Sequence, residues 1–303
     1  MPTLPVNQLV ISPQTHTLPF RWQGDSIRLK QGGSIWEAHA AMLIPVKFKH
    51  CPRIFYLQFD LGSPYSMFYQ NKIEAIQSKY PKSIPSKPIA GKLESLSFTA
   101  GNMPVLAKEI VVKQFDSAGI NWNDKKGVEI IGTIGVDFID QKVAVIDYPN
   151  AKLTLSEQIP EKLLPRLSLT DLIYSNRSLL FPAKVNDKNT MLFFDTGSSM
   201  FELLTNKETS RQLAQPDVQP IQYDVKSWGR SLTAHTVASR GEIELAGIVL
   251  PLGSTTYMEG ASDAQVERML KLGIGGMIGN KLLLNCILVL DTKNKKFGLV
   301  KER

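Results

Sequence analysis

The chain has 303 residues, of which 43% are hydrophobic and 21% are charged, and its formal net charge is +7. This is the composition of an ordinary globular protein, and the length is sufficient for two domains or one large domain. The lysines and arginines are scattered, and no basic helix or base-stacking aromatic motif accompanies them. We therefore expect no nucleic-acid partner.

The two cysteines, Cys51 and Cys286, form no close pair and no metal-ligand spacing, and the four histidines are isolated. We expect neither a disulfide framework nor a metal site. No apolar run of about 18 residues is present, so we expect no membrane span. The first twenty residues lack the basic start and apolar run of a signal peptide. The localisation stays open between the cell interior and export with a signal already removed.

Taken in chain order, residues 1–40 carry no motif that recurs later, and we expect them to add strands to a shared sheet or to wrap the first half. The apolar run 56–59 then delivers Asp60, followed by Gly62 and Ser63. This pattern predicts a buried strand that ends in a tight turn, which glycine permits because it has no Cβ. A modest helix is predicted after this turn, over 71–78.

The remainder of the first half consists of short runs of Val, Ile, Phe and Leu, broken by Gly, Pro, Asn and Asp, which predicts mostly β structure. Residues 143–147 and 152–155 are predicted to form a hairpin. The segment 155–178 is polar and contains two prolines, so we interpret it as the junction between halves. The predicted domains are an N-terminal lobe, 1–158, and a C-terminal lobe, 159–303.

The second half contains the run 192–199, Leu-Phe-Phe-Asp-Thr-Gly-Ser-Ser, in which an apolar strand delivers Asp195. An ionised carboxylate at the end of a buried strand is costly unless it is hydrogen-bonded. The backbone N–H of Gly197 and the hydroxyl of Ser198 can supply those bonds. Helices are predicted over 206–214 and 263–272, and a hairpin is predicted over 287–300.

The second half repeats the first at several places in the same order. Asp195 corresponds to Asp60 at an offset of 195 − 60 = 135 residues. Gly-Met-Ile-Gly at 276–279 corresponds to Gly-Thr-Ile-Gly at 132–135, at an offset of 276 − 132 = 144 residues. The two predicted hairpins are related by this offset of 144 as well. The second half thus carries 144 − 135 = 9 extra residues in between. Two carboxylates in two copies of one phrase predict a site on a two-fold axis.

Asp-Thr-Gly-Ser-Ser after an apolar pair, followed downstream by Ile-Gly and a strand pair, resembles the aspartic peptidases, both the two-lobed pepsin type and the retropepsin-like bacterial type. The matched blocks cover residues 44–300. The resemblance implies a mostly β, bilobal, pepsin-like acid-protease fold, built from a duplicated retropepsin-like half with few short helices. Each lobe would present its Asp at the floor of an interlobe cleft, with Ile134-Gly135 and Ile278-Gly279 packed beneath.

The activity implied by the resemblance is that of an aspartic-type endopeptidase, in which an Asp dyad activates a water to hydrolyse a peptide bond. It needs no metal and no cofactor, and its partner is a peptide or protein substrate in the cleft. Because both lobes lie in one chain, we expect a monomer. The dyad would be Asp60 and Asp195, and the supporting residues, which contribute glycine N–H groups and hydroxyls, would be Gly62, Ser63, Thr196, Gly197 and Ser198.

Two positions depart from the family pattern. Leu61 replaces a threonine that in the family reaches across to the opposite loop, and a leucine can neither donate nor accept. Pro64 follows Ser63 and removes a backbone donor. These departures favour an alternative: a catalytically silent relative that binds a peptide or protein segment in the same cleft. A purely structural protein would give no reason for two matched Asp turns.

The hairpin that covers the cleft, called the flap, is also expected to differ. Pepsin-like enzymes carry it in the first lobe, but residues 80–88 contain three prolines and do not read as a hairpin. The nine extra residues of the second half fall near 223–233, where a strand, a Gly-bearing turn and a second strand are predicted. We hypothesise a second-lobe flap, with Trp228 and Gly229 near its tip contacting substrate. The alternative is a surface hairpin with a half-buried tryptophan.

Overall fold

The computed structural model describes residues 7–115, 118–227, 230–260 and 272–302. The predicted helix over 263–272 and the residues Trp228 and Gly229 therefore lie outside the described residues, apart from Leu272. In the first half the described elements are β1 (Gln8–Ile11), β2 (His16–Pro19), β3 (Arg21–Arg28), β4 (Ser34–Phe48), β5 (Phe55–Phe59), β6 (Met67–Tyr69), α1 (Gln70–Lys79), β7 (Lys92–Ala100), β8 (Met103–Lys113), β9 (Ile130–Ile134), β10 (Val143–Asp147) and β11 (Lys152–Ser156).

The second half continues the same alternation of short strands and turns. Its described elements are β12 (Ser168–Asp171), β13 (Ile173–Ser175), β14 (Ser178–Val185), β15 (Lys188–Phe194), α2 (Lys207–Leu213), β16 (Ile221–Ser227), β17 (Arg230–Ala238), β18 (Glu242–Leu245), β19 (Ile248–Pro251), β20 (Ser254–Glu259), β21 (Ile274–Ile278), β22 (Cys286–Asp291) and β23 (Lys296–Lys301). The fold is mostly β, as predicted, with both repeated helices where the sequence placed them.

The first half is built on an eight-stranded sheet with the order β1-β8-β6-β9-β5-β4-β3, to which β7 adds pairings with β4 and β8. In β5 the side chains of Phe55, Leu57 and Phe59 are buried while those between them are partly exposed, as expected for a strand with one face on the core. The strand ends at Phe59, inside the core, and Asp60 is the first residue after this apolar run.

The second half has a six-stranded sheet with the order β19-β18-β14-β15-β21, to which β13 adds by pairing with β14, and a three-stranded sheet β16-β17-β20. Helix α2 begins after Asn206, whose side-chain oxygen accepts the N–H of Thr209 at 2.9 Å. This is a standard N-cap and explains why the helix starts there.

A fourth sheet, of six strands, joins the two halves in the order β12-β23-β22-β10-β11-β2. Both predicted hairpins, β10–β11 and β22–β23, lie side by side in it, and β10 pairs with β22 antiparallel. In that register Val145 lies opposite Val289. Because 289 − 145 = 144 is the repeat offset, the two residues of this central pair are copies of one another, and a pseudo-two-fold axis passes between them.

The N-terminal residues add a strand to the shared sheet and also pack along the first half, the two alternatives that the sequence left open. Strand β1 pairs with β8, and β2 joins the shared sheet through β11. Strands β3 and β4 form a long hairpin whose tip reaches the second half, where the Lys30 N–H donates to the Gln222 carbonyl at 2.8 Å. The Lys30 ammonium lies 2.9 Å from the Asp224 carboxylate.

The junction segment is more ordered than its composition suggested. It contains a 3₁₀ segment at Glu161–Arg166 and the strands β12 and β13, which pair with β23 and β14 respectively. The backbone hydrogen bonds to the apolar strands β23 and β14 hold this segment in place, although its own side chains are largely polar. Within the described ranges, no helix has the length and apolarity needed to cross a bilayer.

Candidate active site

The first Asp loop follows β5 directly. The N–H of Asp60 donates to the Ile134 carbonyl at 2.9 Å, which continues the strand pairing by one residue. The Asp60 side chain turns back, so that its Oδ1 accepts the N–H groups of Gly62 at 3.0 Å and Ser63 at 3.2 Å. Two backbone donors thus hold one carboxylate oxygen.

The second Asp loop follows β15 in the same way. The N–H of Asp195 donates to the Ile278 carbonyl at 3.0 Å, and the N–H of Gly197 donates to Asp195 Oδ1 at 2.7 Å. Here the Ser198 hydroxyl also donates to Asp195 Oδ2, at 2.9 Å. The Asp195 loop therefore binds both oxygens of its carboxylate.

The two loops bring their carboxylates together. A Cβ added to Gly62 would lie 2.5 Å from Cγ of Asp195, and one added to Gly197 would lie 2.5 Å from Cγ of Asp60. Each carboxylate thus rests on the glycine of the opposite loop, in a reciprocal arrangement that only glycine allows. Both acids keep a partly exposed surface.

The electrostatics follow from this proximity. Burial, the charge of Asp195 and a side-chain hydrogen bond with Asp195 together raise the pKa of Asp60 to about 8, against the opposing effect of the Gly62 and Ser63 N–H groups. Two carboxylates this close cannot both ionise cheaply, so the pair retains one proton over a wide pH range. A proton-sharing pair of this kind can act as an acid and a base at once.

The Ile-Gly pairs lie beneath the loops. Strand β5 pairs in parallel with β9, and β15 pairs in parallel with β21, so that each Ile-Gly ends beside an Asp. A Cβ on Gly135 would lie 2.5 Å from the Tyr65 carbonyl carbon, and one on Gly279 would clash with the Ser198 carbonyl oxygen. These glycines let the backbone of each loop pack directly on the strand below.

One hydroxyl crosses between the loops. Thr196 Oγ1 accepts the Leu61 N–H at 2.8 Å and donates to the Phe59 carbonyl at 2.8 Å. Leu61 occupies the mirror position and is completely buried. The cross-brace therefore runs from the second half to the first, and Leu61 provides no return bond.

The structure corrects the predicted contact of the Ser63 hydroxyl. That hydroxyl donates to the Tyr65 carbonyl at 2.8 Å, so Ser63 supports Asp60 through its backbone N–H. The reason is the chain path around Pro64, which brings the Tyr65 carbonyl within reach of the Ser63 hydroxyl. The two serines that the repeat aligns therefore have different contacts.

Sequence reasoning missed two ion pairs that hold the loops from behind. Lys281, two residues after Ile278-Gly279, lies 2.5 Å from the buried carboxylate of Glu37 in the first half. Arg177 Nε lies 2.7 Å from Asp140, and its Nη1 donates to the Pro64 carbonyl at 3.2 Å. Each pair joins one half to the other, and no local motif marks either of them.

The hairpin expected in the second half is present. Strands β16 and β17 pair from Ile221–Thr236 to Ser227–Arg230, whereas residues 80–88, which the structure describes, contain no strand. The inner face of the hairpin packs through Tyr223 and Ala234 on Phe201, six residues after Asp195. The hairpin thus packs against the segment that directly follows the Asp195 loop.

Within the described ranges, no group of three or more His, Cys, Asp and Glu side chains is arranged to hold a metal ion.

Comparison with protein-family models and with curated proteins gives no match. Among solved structures, the chain is similar to the crystal structure of an aspartic proteinase from Irpex lacteus. The TM-score is 0.53 at 13% sequence identity, and the match covers 95% of this chain and 98% of that chain. The similarity shows a mostly β, pepsin-like fold of the aspartic proteinase type.

Proposed function

We propose that this protein is an aspartic-type endopeptidase. The observation that supports this most is the reciprocal seating of Asp60 and Asp195, each on the glycine of the other loop. This seating brings two like-charged groups together at a cost in free energy. Neither an ion pair nor a turn cap requires that cost. A shared proton between two carboxylates is the established behaviour of aspartic proteases.

In the proposed mechanism Asp60 carries the shared proton and Asp195 is ionised. The raised pKa of Asp60 keeps it protonated, so it donates to the carbonyl oxygen of the scissile peptide. Asp195, held by the Gly197 N–H and the Ser198 hydroxyl, takes a proton from the attacking water. The product of attack is a tetrahedral gem-diol without a covalent enzyme intermediate.

The proposal assigns the remaining parts as the sequence suggested. The lobes comprise residues 1–158 and 159–303, the substrate is a peptide or protein segment in the cleft between them, and the enzyme acts as a monomer without a cofactor. The β16–β17 hairpin would be the flap, and Trp228 and Gly229 would contact the substrate from its tip. The partly exposed surface of both acids supports access by substrate and water.

The alternative function is that of a catalytically silent peptide- or protein-binding module. Its support is the buried Leu61, which leaves the brace between the loops one-sided, together with Pro64 in the first loop. A dyad that is held loosely would bind a peptide without orienting a water.

Cleavage of a peptide library between about pH 3 and 8 tests the proposal. We expect cleavage by the wild-type protein, inhibition by a statine-type transition-state analogue, and loss of cleavage in Asp195→Asn. Asp187→Asn, which changes an exposed turn carboxylate, is the matched control and should cleave normally. Cleavage that persists in Asp195→Asn would overturn the mechanism. Analogue binding without any cleavage would establish the binding module instead.

A further inference from the structure

A second buried hydrogen-bond chain reaches the Asp195 loop from the first half. The Tyr148 hydroxyl donates to Asn280 Oδ1 at 2.7 Å. Asn280 Nδ2 donates to the Thr196 carbonyl and to Ser199 Oγ, both at 3.0 Å. The Ser199 hydroxyl then donates to the His39 carbonyl at 2.7 Å. The chain begins and ends in the first half and holds the second Asp loop between.

The side-chain amide in this chain is fully used. Asn280 has one acceptor oxygen and two N–H donors, and the three bonds described engage all of them. Asn280 is 0% exposed and Tyr148 is 3% exposed, so water cannot replace a lost partner. Because buried polar groups are costly when unpaired, the network favours one position of the loop.

Tyr148 is itself held rigidly. Its ring stacks on Trp22 at 6.2 Å and meets Phe20 edge-on at 6.4 Å. Complete burial raises the pKa of the Tyr148 phenol, so the hydroxyl stays protonated and remains a donor. The hydroxyl is therefore a fixed point on the first half.

The network has no copy on the other side of the axis. The residue that corresponds to Asn280 is Val136, since 280 − 144 = 136, and valine can form no such bond. The residue that corresponds to Tyr148 is Thr292, which donates to the Ile139 carbonyl. The asymmetry matters because Asp195 lies on the same loop to which Leu61 fails to return a bond.

We propose that Tyr148 and Asn280 are positioning residues that replace the absent hydroxyl of Leu61 and hold the Asp195 loop against Asp60. The inference deepens the proposed peptidase function, and its catalytic consequence rests on that function. The structural part stands on the geometry of the loops alone.

The test combines loss and rescue. Tyr148→Phe should lower kcat at least about tenfold with a smaller change in KM, since one buried hydrogen bond is lost and its partner is left unpaired. By the pseudo-two-fold symmetry, a threonine at position 61 would reach the Thr196 N–H and the Phe194 carbonyl. Leu61→Thr in the Tyr148→Phe background should therefore restore most of the activity.

Tyr69→Phe is the matched control, because it also removes a phenol hydroxyl that forms a side-chain hydrogen bond, here with the Thr133 hydroxyl at 3.2 Å, and should leave kcat unchanged. A Tyr148→Phe variant with wild-type kcat, or a double variant without recovery, would overturn the proposal. If Tyr148→Phe does not fold, the double variant still decides: recovered folding supports the replacement, and an equally unfolded double variant contradicts it.

A readout without turnover separates this proposal from the peptidase function. Burial raises the pKa of Asp60 most, and the charge of Asp195 raises it further, so the proton uptake of Asp60 on folding should fall when the loops separate and the site opens to water. The pH dependence of the melting temperature, measured relative to Asp60→Asn, should shrink in Tyr148→Phe. If the wild-type protein cleaves nothing, this shrinkage still supports the positioning role, and an unchanged dependence overturns it.

Discussion

The two Asp loops of this chain can be compared residue by residue, because a constant offset aligns them. Asp60 is held by two backbone N–H groups, whereas Asp195 is held by one N–H and the hydroxyl of Ser198. Thr196 bonds across to the first loop, but the aligned Leu61 bonds to nothing across the axis through its side chain.

The comparison distinguishes positions that the backbone geometry restricts to glycine from hydrogen bonds that different side chains can provide. Both loops retain the glycine after the Asp and the Ile-Gly beneath, because any Cβ there would collide with a carboxylate or a carbonyl. The hydroxyl braces have diverged, because a bond to a loop can come from several directions. Changes to the shared glycines should therefore have the largest effects, and changes to contacts away from the two loops the smallest.

Replacing either glycine with alanine should separate the carboxylates. In Gly62→Ala or Gly197→Ala the new methyl group would occupy the space of the opposite carboxylate, and a displacement of about 1 Å costs roughly a hundredfold in rate. We expect peptide cleavage to fall by at least that factor in both variants. Gly119→Ala is the control, since its Cβ would meet open space. Equal activity in Gly62→Ala and Gly119→Ala would contradict the reciprocal seating.

The stability of the protein should depend on pH through Asp60. The folded pKa of about 8 lies above the ordinary value of about 3.9, so the folded state binds more protons than the unfolded chain between these values. This contribution to stability is complete below about pH 4 and is lost as the pH rises towards 8.

Melting temperatures of the wild type and Asp60→Asn measure this contribution, because asparagine mimics the protonated acid. The two proteins should melt together near pH 4, and Asp60→Asn should melt higher than the wild type near pH 8. A difference that does not change with pH would mean that Asp60 is not held protonated.

The aligned serines should behave differently. Ser198→Ala removes a hydrogen bond to the carboxylate that is ionised in the proposed mechanism. Such a bond is worth about 1.5–3 kcal/mol, so the change should lower kcat/KM about ten- to a hundredfold. Ser63→Ala removes a bond to the Tyr65 carbonyl and should lower the melting temperature with little change in kcat/KM. Steady-state kinetics on both variants provide the check, and equal losses of activity would place both hydroxyls on the dyad.

The smallest effect is expected at the contact between the β3–β4 tip and the β16–β17 hairpin. Lys30 and Asp224 are both largely exposed, so their ion pair is screened by salt. Lys30→Ala should lower the melting temperature slightly at low salt and not at high salt, while Lys30→Arg should preserve it. A large, salt-independent loss in Lys30→Ala would show that the tip is a main support of the hairpin.

Much of the architecture was predictable from local pattern. The apolar runs that end at Asp60 and Asp195, the helices after each loop and the two C-terminal hairpins all lie where the sequence places them. Repetition made these predictions specific, since one Asp turn is common and two aligned turns imply an axis. The Val145–Val289 pairing, at the repeat offset, is the structural expression of that axis.

The supporting contacts were not predictable. Nothing in the sequence near Arg177 indicates Pro64 or Asp140, and nothing near Glu37 indicates Lys281, because these partners are far apart in the chain and meet across the two halves. For Asn280 a signal did exist: a polar residue stands where the first half has Val136. The Ser63 hydroxyl was assigned wrongly because alignment with Ser198 could not foresee the path of the chain around Pro64.

The sequence by itself determined the mostly β character, the duplication and the two acids, since period-two apolar runs, glycine turns and a repeated phrase are local properties of the chain. Only the tertiary structure decided that the carboxylates rest on each other's glycines and which groups brace each loop. The physical reason is that a hydrogen bond or a close contact depends on distance in space, which the pairing of β10 with β22 and the closure of the halves create.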